Sequence, residues 1–453
     1  MTDYPIVSLG ELASPESGSI AIGPFGSRMK SDTYTSQGVP VVRGANISSG
    51  RSLIGTWVFV SEEFAQGIPN CIARTGDLVL PHRGSIGEVA IIGPELPKVV
   101  LSSSMMKFRP DAQRADSTYV YYCLKSDAGR NEIMRFASQV GTPGIGQPLT
   151  SLRQMRIPLP PLSVQQIVGR TLSTLDDKIE LNRRMNATLE AIAQAIFRDW
   201  FVDFGPTRRK LAGVTDPVEI MGGLVQDGGR AAELAALFPD VIGESGLPER
   251  WEKRPLLEVA HLISGGTPKT DRSDYWGGEI SWASAKDVSQ CGALFLLDTE
   301  RSITRKGLDN SSTKIVPKMA TVVVARGATT GRYCMFGNDL AMNQTCYGLE
   351  SNTSHPVWLH LAFGRLVSRL QGAAHGSVFD TITSKTLQSV EVVWPQDEVL
   401  GALENIVRPI YDKALSNAIS NQTLAATRDL LLPKLMSGEI RLGDAEATAE
   451  AAQ

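Results

Sequence analysis

Arg28 and Lys30 follow a tight Gly23-Pro24-Phe25-Gly26-Ser27 turn. Arg83 and Arg326 each stand before a glycine where an apolar run ends, in GDLVLPHRGSIG (76–87) and MATVVVARGATTG (319–331). A guanidinium or ammonium on a glycine turn can approach an anion closely, so the chemistry on offer is anion binding. A nucleotide P-loop is excluded: Gly23 to Gly26 is too short, and no Gly-Lys-Ser/Thr follows. Taken alone, the first turn reads first as a surface loop with two solvated cations. Metal chemistry finds no support. The five histidines form no H-E-x-x-H, and Cys71, Cys123, Cys291, Cys334 and Cys346 form no C-x-x-C.

The elements that must position these residues are short β-branched runs and two long helices. The chain has 453 residues, 42% hydrophobic and 21% charged, enough for two to four domains with real cores. Its formal net charge is −3, so any basic surface is local or shared with other subunits. MTDYPIVSLGEL lacks a basic region followed by an apolar core, and no apolar run reaches membrane-spanning length. The expectation is a cytoplasmic chain without membrane contact.

The chain repeats itself. An offset of 235 residues carries IPLPPLSVQQIVGRTLSTLDDKIELNRRMNATLEA, from Ile157, onto VVWPQDEVLGALENIVRPIYDKALSNAISNQTLAA, from Val392, without gaps. In the first copy Val168, Leu172, Leu175, Ile179, Asn182, Asn186, Leu189, Ala193 and Ile196 recur at alternating steps of four and three. In the second copy the seam is Leu403, Val407, Ile410, Ala414, Asn417, Asn421, Leu424, Arg428 and Leu431. That spacing predicts two amphipathic helices with coiled-coil stripes. Ser163 with Gln166 reads as a capping box, and Asp397 as a cap for the second copy. Gly205–Pro206 should stop the first helix, and Pro433 should stop or kink the second. An antiparallel pair with pseudo-twofold symmetry sets Asn182 opposite Asn421 and Asn186 opposite Asn417. Packing of each helix on its own globule is the other possibility. Asp176–Asp177, inside the first helix, reads as a solvated face.

The regions before the helices also echo each other: LGELA (9–13) with LLEVA (256–260), and GVPVVRGANI (38–47) with GEISWASAKDV (278–288). GTPGIGQPLTSLRQMRIPLP (141–160) and GSVFDTITSKTLQSVEVVWP (376–395) share the offset of the helices. The plan is globule, helix, globule, helix. A Gly-rich linker is expected over 206–249 and a disordered tail over 441–453.

With this plan the sequence resembles the specificity (S) subunit of type I restriction–modification systems, over nearly its whole length. GPFGSRMKSDTY with GVPVVRGANI resembles the opening of that family's first target-recognition domain, and ISGGTPKTDRSDYWGGEISWASAKDV (263–288) the opening of its second. FRDWFVDFGPTRRK (197–210), AALFPDVIGESGLPERWE (235–252) and LLLPKLMSGEI (430–440) resemble its conserved regions. The resemblance implies an α+β fold of two similar target-recognition domains (1–159 and 250–394). Two long helices (160–205 and 395–440) would join them as an antiparallel coiled-coil spacer. It implies a DNA-reading subunit for a split, asymmetric sequence in double-stranded DNA, with two methyltransferase subunits and two restriction subunits as partners. S-adenosylmethionine, ATP and Mg2+ would belong to those partners, and no cofactor to this chain.

On that reading Arg28 and Lys30 supply phosphate contacts, with Thr267, Lys269, Thr270 and Arg272 equivalent in the second domain. Arg43, Asn46 and Lys286 lie at predicted strand ends, where Arg suits guanine and Asn adenine. His82, Arg83, Ser85, Arg326, Asn343 and Gln344 are further candidates. Each alone also reads as a solvated or structural residue. Tyr275 and Trp276 read as core, and Trp200 and Phe201 as packing or subunit contacts. The helix-pairing set is Leu172, Leu175, Ile179, Asn182, Asn186, Leu189, Ile410, Ala414, Asn417, Asn421 and Leu424. No Asn/Asp-Pro-Pro-aromatic methyltransferase site is present, since Leu159 precedes Pro160–Pro161, and no Walker lysine or acidic nuclease cluster is recognisable. The chain reads as non-catalytic. The alternatives are a DNA-reading partner of a non-type-I methyltransferase or single-chain restriction enzyme, and a coiled-coil scaffold that binds only proteins.

Overall fold

The computed structural model describes residues 4–24, 28–47, 50–138, 143–373 and 381–440. The expected tail, 441–453, lies outside the described residues. Two long helices form where the apolar stripes predict them: α1 over Leu162–Phe201 and α2 over Asp397–Ser437. The chain divides into two compact units, residues 1–181 with 420–453, and residues 182–419. Each long helix therefore contributes one half to each unit.

The ends of the helices differ from their sequence signals. Helix α1 begins at Leu162, so Ser163 lies within the first turn. Gln165, not Gln166, does the joining there: its buried side chain donates to the Pro160 and Arg114 carbonyls and accepts from Asp116 N–H. Helix α2 runs through Pro433 to Ser437. Gly205–Pro206 does not simply stop α1: Phe204 takes a left-handed conformation, φ 52°, and a short helix follows over Gly205–Leu211.

In the first unit, one antiparallel sheet is built on β1 (Ile20–Ile22), β3 (Leu78–Pro81) and β5 (Met105–Phe108), with β5 in the middle and Ala90–Ile91 at the edge beside β3. A second sheet pairs β2 (Val39–Val42) in parallel with β4 (Lys98–Leu101), flanked by Val58–Val60 and Ile72–Arg74. These strands are short and β-branched, and most are buried on both faces. Ile6–Ser8 pairs with Arg156–Pro158, which ties the start of the chain beside the entry to α1. The core joins Leu78, Leu80, Met106 and Phe108 to Tyr119, Val120 and Leu124 and to the helix stripe Val168, Leu172, Leu175 and Ile179. Leu424, Leu431 and Leu435 of α2 close it. Full burial of each such side chain stabilises by about 1.5–3 kcal/mol.

The stripe carries one charge. Arg428 Nη1 donates to Asp176 Oδ1 at 2.6 Å, and Tyr122 Oη donates to Asp176 Oδ2 at 2.6 Å. Asp176, expected on a solvated face, has only 12% of its side chain exposed. An arginine can occupy the seam because its carboxylate faces it. Asp177 points outward and pairs with Arg51 at 2.5 Å.

The second unit repeats the plan. Strands β6 (Ala260–Ser264), β8 (Thr321–Val324) and β10 (Cys346–Ser351) form a sheet with β10 between the other two, extended by Tyr333–Phe336 and Phe295–Leu296. Strand β7 (Trp276–Ala283) pairs in parallel with β9 (Leu340–Met342), flanked by Arg301–Ile303 and Ile315–Val316. Glu252–Pro255 pairs with Glu391–Trp394, as Ile6–Ser8 does with Arg156–Pro158. The strand order thus matches β1–β5 element for element, with one extra strand.

Here α1 and α2 meet through polar seam residues. Asn417 Nδ2 donates to Asn186 Oδ1 at 2.8 Å, and Asn186 Nδ2 donates to the Ala414 carbonyl at 2.9 Å. This is the expected pairing of Asn186 with Asn417. Ala193, Ile196, Val407 and Ala414 are buried around it, with Leu189 and Ile410 packed at its margin. Asn182 is buried and Asn421 partly so; they fall on either side of the unit boundary.

The expected linker is folded. Residues 205–236 include helices Gly205–Leu211, Pro217–Ile220 and Gly228–Ala236. Their apolar side chains, with Phe238, Leu247 and Trp251, cover the aromatic end of α1. Trp200 meets Phe238 edge-on with ring centres 4.9 Å apart, and Phe201 lies 5.6 Å from Trp251. Trp200 and Phe201 are packing residues. The helix Gly228–Ala236 carries an apolar stripe, Ala231, Leu234 and Ala235, continued by Phe238, whereas the other two, of seven and four residues, are too short to show one in the sequence.

Candidate nucleic-acid interface

Within each unit, the loops that carry the basic residues converge on one turn. In the first unit it is Ser102–Ser104, between β4 and β5. Ser102 N–H donates to the Val42 carbonyl at 2.9 Å, which ties in the end of β2. Gly23 N–H donates to Met105 O at 2.9 Å, which ties in the end of β1. A Cβ on Gly23 would lie 1.8 Å from Ser102 O, so only glycine fits. His82 N–H donates to Ser104 O at 2.9 Å, which ties in the end of β3. Ile145 N–H donates to His82 O, adding the segment before α1.

The second unit builds the same turn from Asn343–Thr345, between β9 and β10. Asn343 N–H donates to Ala283 O at 2.9 Å, Gly266 N–H to Met342 O at 2.9 Å and Ala325 N–H to Thr345 O at 2.7 Å. A Cβ on Gly265 would lie 1.8 Å from Asn343 O, the same close approach as at Gly23. Ile382 N–H donates to Ala325 O, as Ile145 does to His82. These bonds are all main chain.

Of the candidate residues at the first turn, Arg28, Lys30, Arg83 and Ser85 are exposed, as is Ser103 of the turn itself; residues 25–27 lie outside the described residues. Arg43 is half-exposed and donates from Nη2 to Thr56 O at 2.9 Å. Two candidates are internal instead. Asn46 is fully buried: its Oδ1 accepts from Arg43 N–H, and Nδ2 donates to the Ile54 and Thr56 carbonyls. Both amide hydrogens are committed, so Asn46 braces the loop and cannot also read adenine. His82 is buried with Nε2 3.0 Å from Ser103 O, an arrangement that puts the ring proton on Nε2. Burial holds its pKa below the usual histidine value, so it is a neutral prop for the turn.

At the second turn Lys269, Thr270, Arg272, Lys286, Arg326 and Gln344 are exposed, and Thr267 and Asn343 half-exposed. Thr267 Oγ1 donates to Gln344 Oε1 across the turn. Asn343 Oδ1 accepts from Thr345 Oγ1 at 2.8 Å. Arg272 forks onto Asp274 through two bonds of 2.9 Å and covers the buried Tyr275 ring, its Cζ 4.9 Å from the centre. Lys286 pairs with Glu300 at 2.6 Å. The indole Nε1 of Trp282 donates to Gly266 O at 3.0 Å, and that of Trp276 to Lys269 O at 3.1 Å. Trp276 is therefore neither free to stack on a base nor simply core; it pins the loop.

Ser102–Ser104 and Trp282 do not stand out in the sequence, and Trp276 reads there as core. A signal for Ser102–Ser104 was present: KVVLSSSMMKF and DLAMNQTCYGL occupy equal places in the repeat. Among the described residues no group of three or more His, Cys, Asp or Glu is placed to hold a metal, and no helix is long and apolar enough to cross a membrane. All five cysteines are free thiols.

Comparison with known proteins gives the family of the chain. Residues 8–191 and 248–413 both match the type I restriction modification DNA specificity domain. The chain belongs to this family. Each match takes in one globule and the first part of the long helix that follows it. Among curated relatives, the chain is similar to the HindI specificity subunit of Haemophilus influenzae, 27% identical over 404 residues, which cover 81% of this chain and 87% of that one. It is also similar to the MjaIX specificity subunit of Methanocaldococcus jannaschii, 24% identical over 378 residues, or 81% and 78% of the two chains. The fold matches the crystal structure of the S subunit from M. genitalium with a TM-score of 0.56, at 15% identity and over 96% of both chains. This type I specificity subunit recognises DNA sequence, and each loop cluster is its candidate contact surface.

Proposed function

We propose that each cluster reads one half of a two-part sequence in double-stranded DNA, and that the chain carries out no chemistry itself. Two methyltransferase subunits would supply S-adenosylmethionine-dependent methylation, and two restriction subunits ATP- and Mg2+-dependent cleavage. The observation that supports this most is the duplicated turn. Strands β1–β3 and β6–β8 deliver the same three loops to Ser102–Ser104 and to Asn343–Thr345, with Arg28, Lys30, Arg43 and Arg83 on the loops in one case and Lys269, Arg272, Lys286 and Arg326 in the other. Cations on such loops would position phosphates, and the side chains between them would meet base edges.

Detection of methylated motifs across a host genome, with and without this chain, tests the proposal. A split motif that vanishes with the chain is the expected result; an unsplit motif, or no change, refutes it. Replacing residues 1–158 with those of another family member should alter one half of the motif only. Lengthening both long helices in step should change the number of unread base pairs and not the bases read.

A further inference from the structure

We propose that the two loop clusters divide DNA binding unequally. The first would provide the larger share of the phosphate neutralisation, while the second would read its bases through a pinned loop in which two of four candidate cations, Arg272 and Lys286, are balanced within the protein. This rests on the reading of both clusters as DNA-contacting surfaces. In the first cluster Arg28, Lys30 and Arg83 are exposed, and none forms an ion pair among the described residues. In the second, Asp274 holds two cations at once: Arg272 at 2.9 Å and Lys306 at 2.7 Å. Glu300 holds Lys286 at 2.6 Å. Of the second cluster's candidate cations, only Lys269 and Arg326 lack a carboxylate partner among the described residues.

The consequence follows from counterion balance. An unpaired cation that meets a phosphate releases a condensed counterion, and each such contact contributes about 0.9 to the slope of log K against log salt. A cation that leaves a carboxylate for a phosphate also releases one counterion from DNA, but the vacated carboxylate then collects a cation from solution. The net release is close to zero. Exposed ion pairs are weak, about 0–1 kcal/mol, so Arg272 and Lys286 remain able to touch DNA; they simply add little salt dependence. The second loop compensates by being preorganised. Trp282 and Trp276 fix the main chain at Gly266 and Lys269, and Arg301 packs its guanidinium 3.6 Å from the centre of the Trp276 ring. A loop fixed before contact loses less freedom on binding, which favours discrimination among bases over non-specific attraction. Among the described residues the first cluster has no tryptophan pins: its β2 strand reads Val39-Pro40-Val41-Val42 where β7 carries the two tryptophans, and its side-chain braces are Asn46 and His82.

Binding of the full chain to a labelled random-sequence duplex, followed by fluorescence anisotropy between about 50 and 200 mM salt, separates the two surfaces. The triple variant Arg28→Ala, Lys30→Ala, Arg83→Ala should lower the magnitude of the slope by about 2–3. Arg272→Ala with Lys286→Ala should change it by less than about 0.5. Asp274→Asn with Glu300→Gln, which frees Arg272, Lys306 and Lys286, should steepen it by about 2–3. All of these side chains are exposed, and unchanged melting temperatures will confirm that the variants fold. Equal losses from the two sets of cations, or no steepening when the carboxylates are neutralised, would overturn the unequal division. Absence of any salt-dependent binding by the unaltered chain would instead overturn the DNA-contact reading on which it rests.

Discussion

Asp176 is the residue whose loss should tell most about the helix pair. Its carboxylate accepts from Arg428 and from Tyr122, both at 2.6 Å, with 12% of its own side chain exposed. Asp176→Ala removes the seam partner of an arginine only 25% exposed and leaves the Tyr122 hydroxyl, in a side chain 2% exposed, with no acceptor. Breaking a buried pair costs about 3–5 kcal/mol and orphaning a buried hydroxyl about 1–3 kcal/mol. Two facts reduce the sum: Arg428 retains Asp429 at 2.8 Å, and a quarter of it reaches water. We expect a loss of about 3 kcal/mol for Asp176→Ala. Asp176→Asn, which still offers Tyr122 an oxygen, should lose about 1–2 kcal/mol. Replacing all three groups together, as Asp176→Leu, Arg428→Met and Tyr122→Phe, should fall within about 1 kcal/mol of the unaltered chain, because no buried polar group is then left alone. Native-state hydrogen exchange over residues 172–179 and 424–432 reads these changes locally, without requiring the whole chain to unfold in one step. If Asp176→Ala exchanged like the unaltered chain, or the triple variant were the least protected, the account of this seam would be wrong.

Three further outcomes are expected. Gly23→Ala and Gly265→Ala each place a methyl group 1.8 Å from a main-chain oxygen, so each should displace its turn and weaken DNA binding at least tenfold with partial loss of thermal stability; anisotropy and melting curves check this. Asn186→Ala leaves Asn417 and the Ala414 carbonyl without their partner and should cost about 1–3 kcal/mol in urea unfolding, whereas Asn186→Leu with Asn417→Leu should recover most of it. His360 is fully buried and burial pushes its pKa down to about 3, so the folded state holds it neutral while the unfolded chain protonates near 6.5. Its contribution is therefore intact above pH 6.5 and declines as pH falls toward 3, by about 2 kcal/mol at pH 5; His360→Gln should flatten that part of the stability profile.

The long helices were legible because their signal is redundant: apolar steps of four and three, and one offset that carries Ile157 onto Val392. The pairing of Asn186 with Asn417 followed from symmetry in those numbers alone. Arg428 was read into the seam correctly, but Asp176 was read as solvated, because helical spacing shows which residues share a face and not what faces them from Tyr122. The segment 206–249 was misread for a related reason. Its one helical stripe, Ala231, Leu234 and Ala235 continued by Phe238, is short and set among glycines, and what it packs on becomes visible only with Trp200, Phe201 and Trp251 in place. At the candidate interface the loops were legible and the roles of their members were not. Asn46 and His82 have the right side chains for base contact and stand beside the right glycines, yet their polar atoms answer main-chain groups a few residues away. Gly23 could be singled out from its turn; that Ser102 O is what excludes a side chain there could not.

Because main-chain bonds and a few internal side chains (His82, Trp276 and Trp282) assemble the Ser102–Ser104 and Asn343–Thr345 turns, most of what each turn displays is decoupled from what holds it together. Substitutions at positions such as 28, 83, 270 or 344 can accumulate with little effect on folding. The displayed set at either turn can therefore be exchanged while the frame beneath it stays intact.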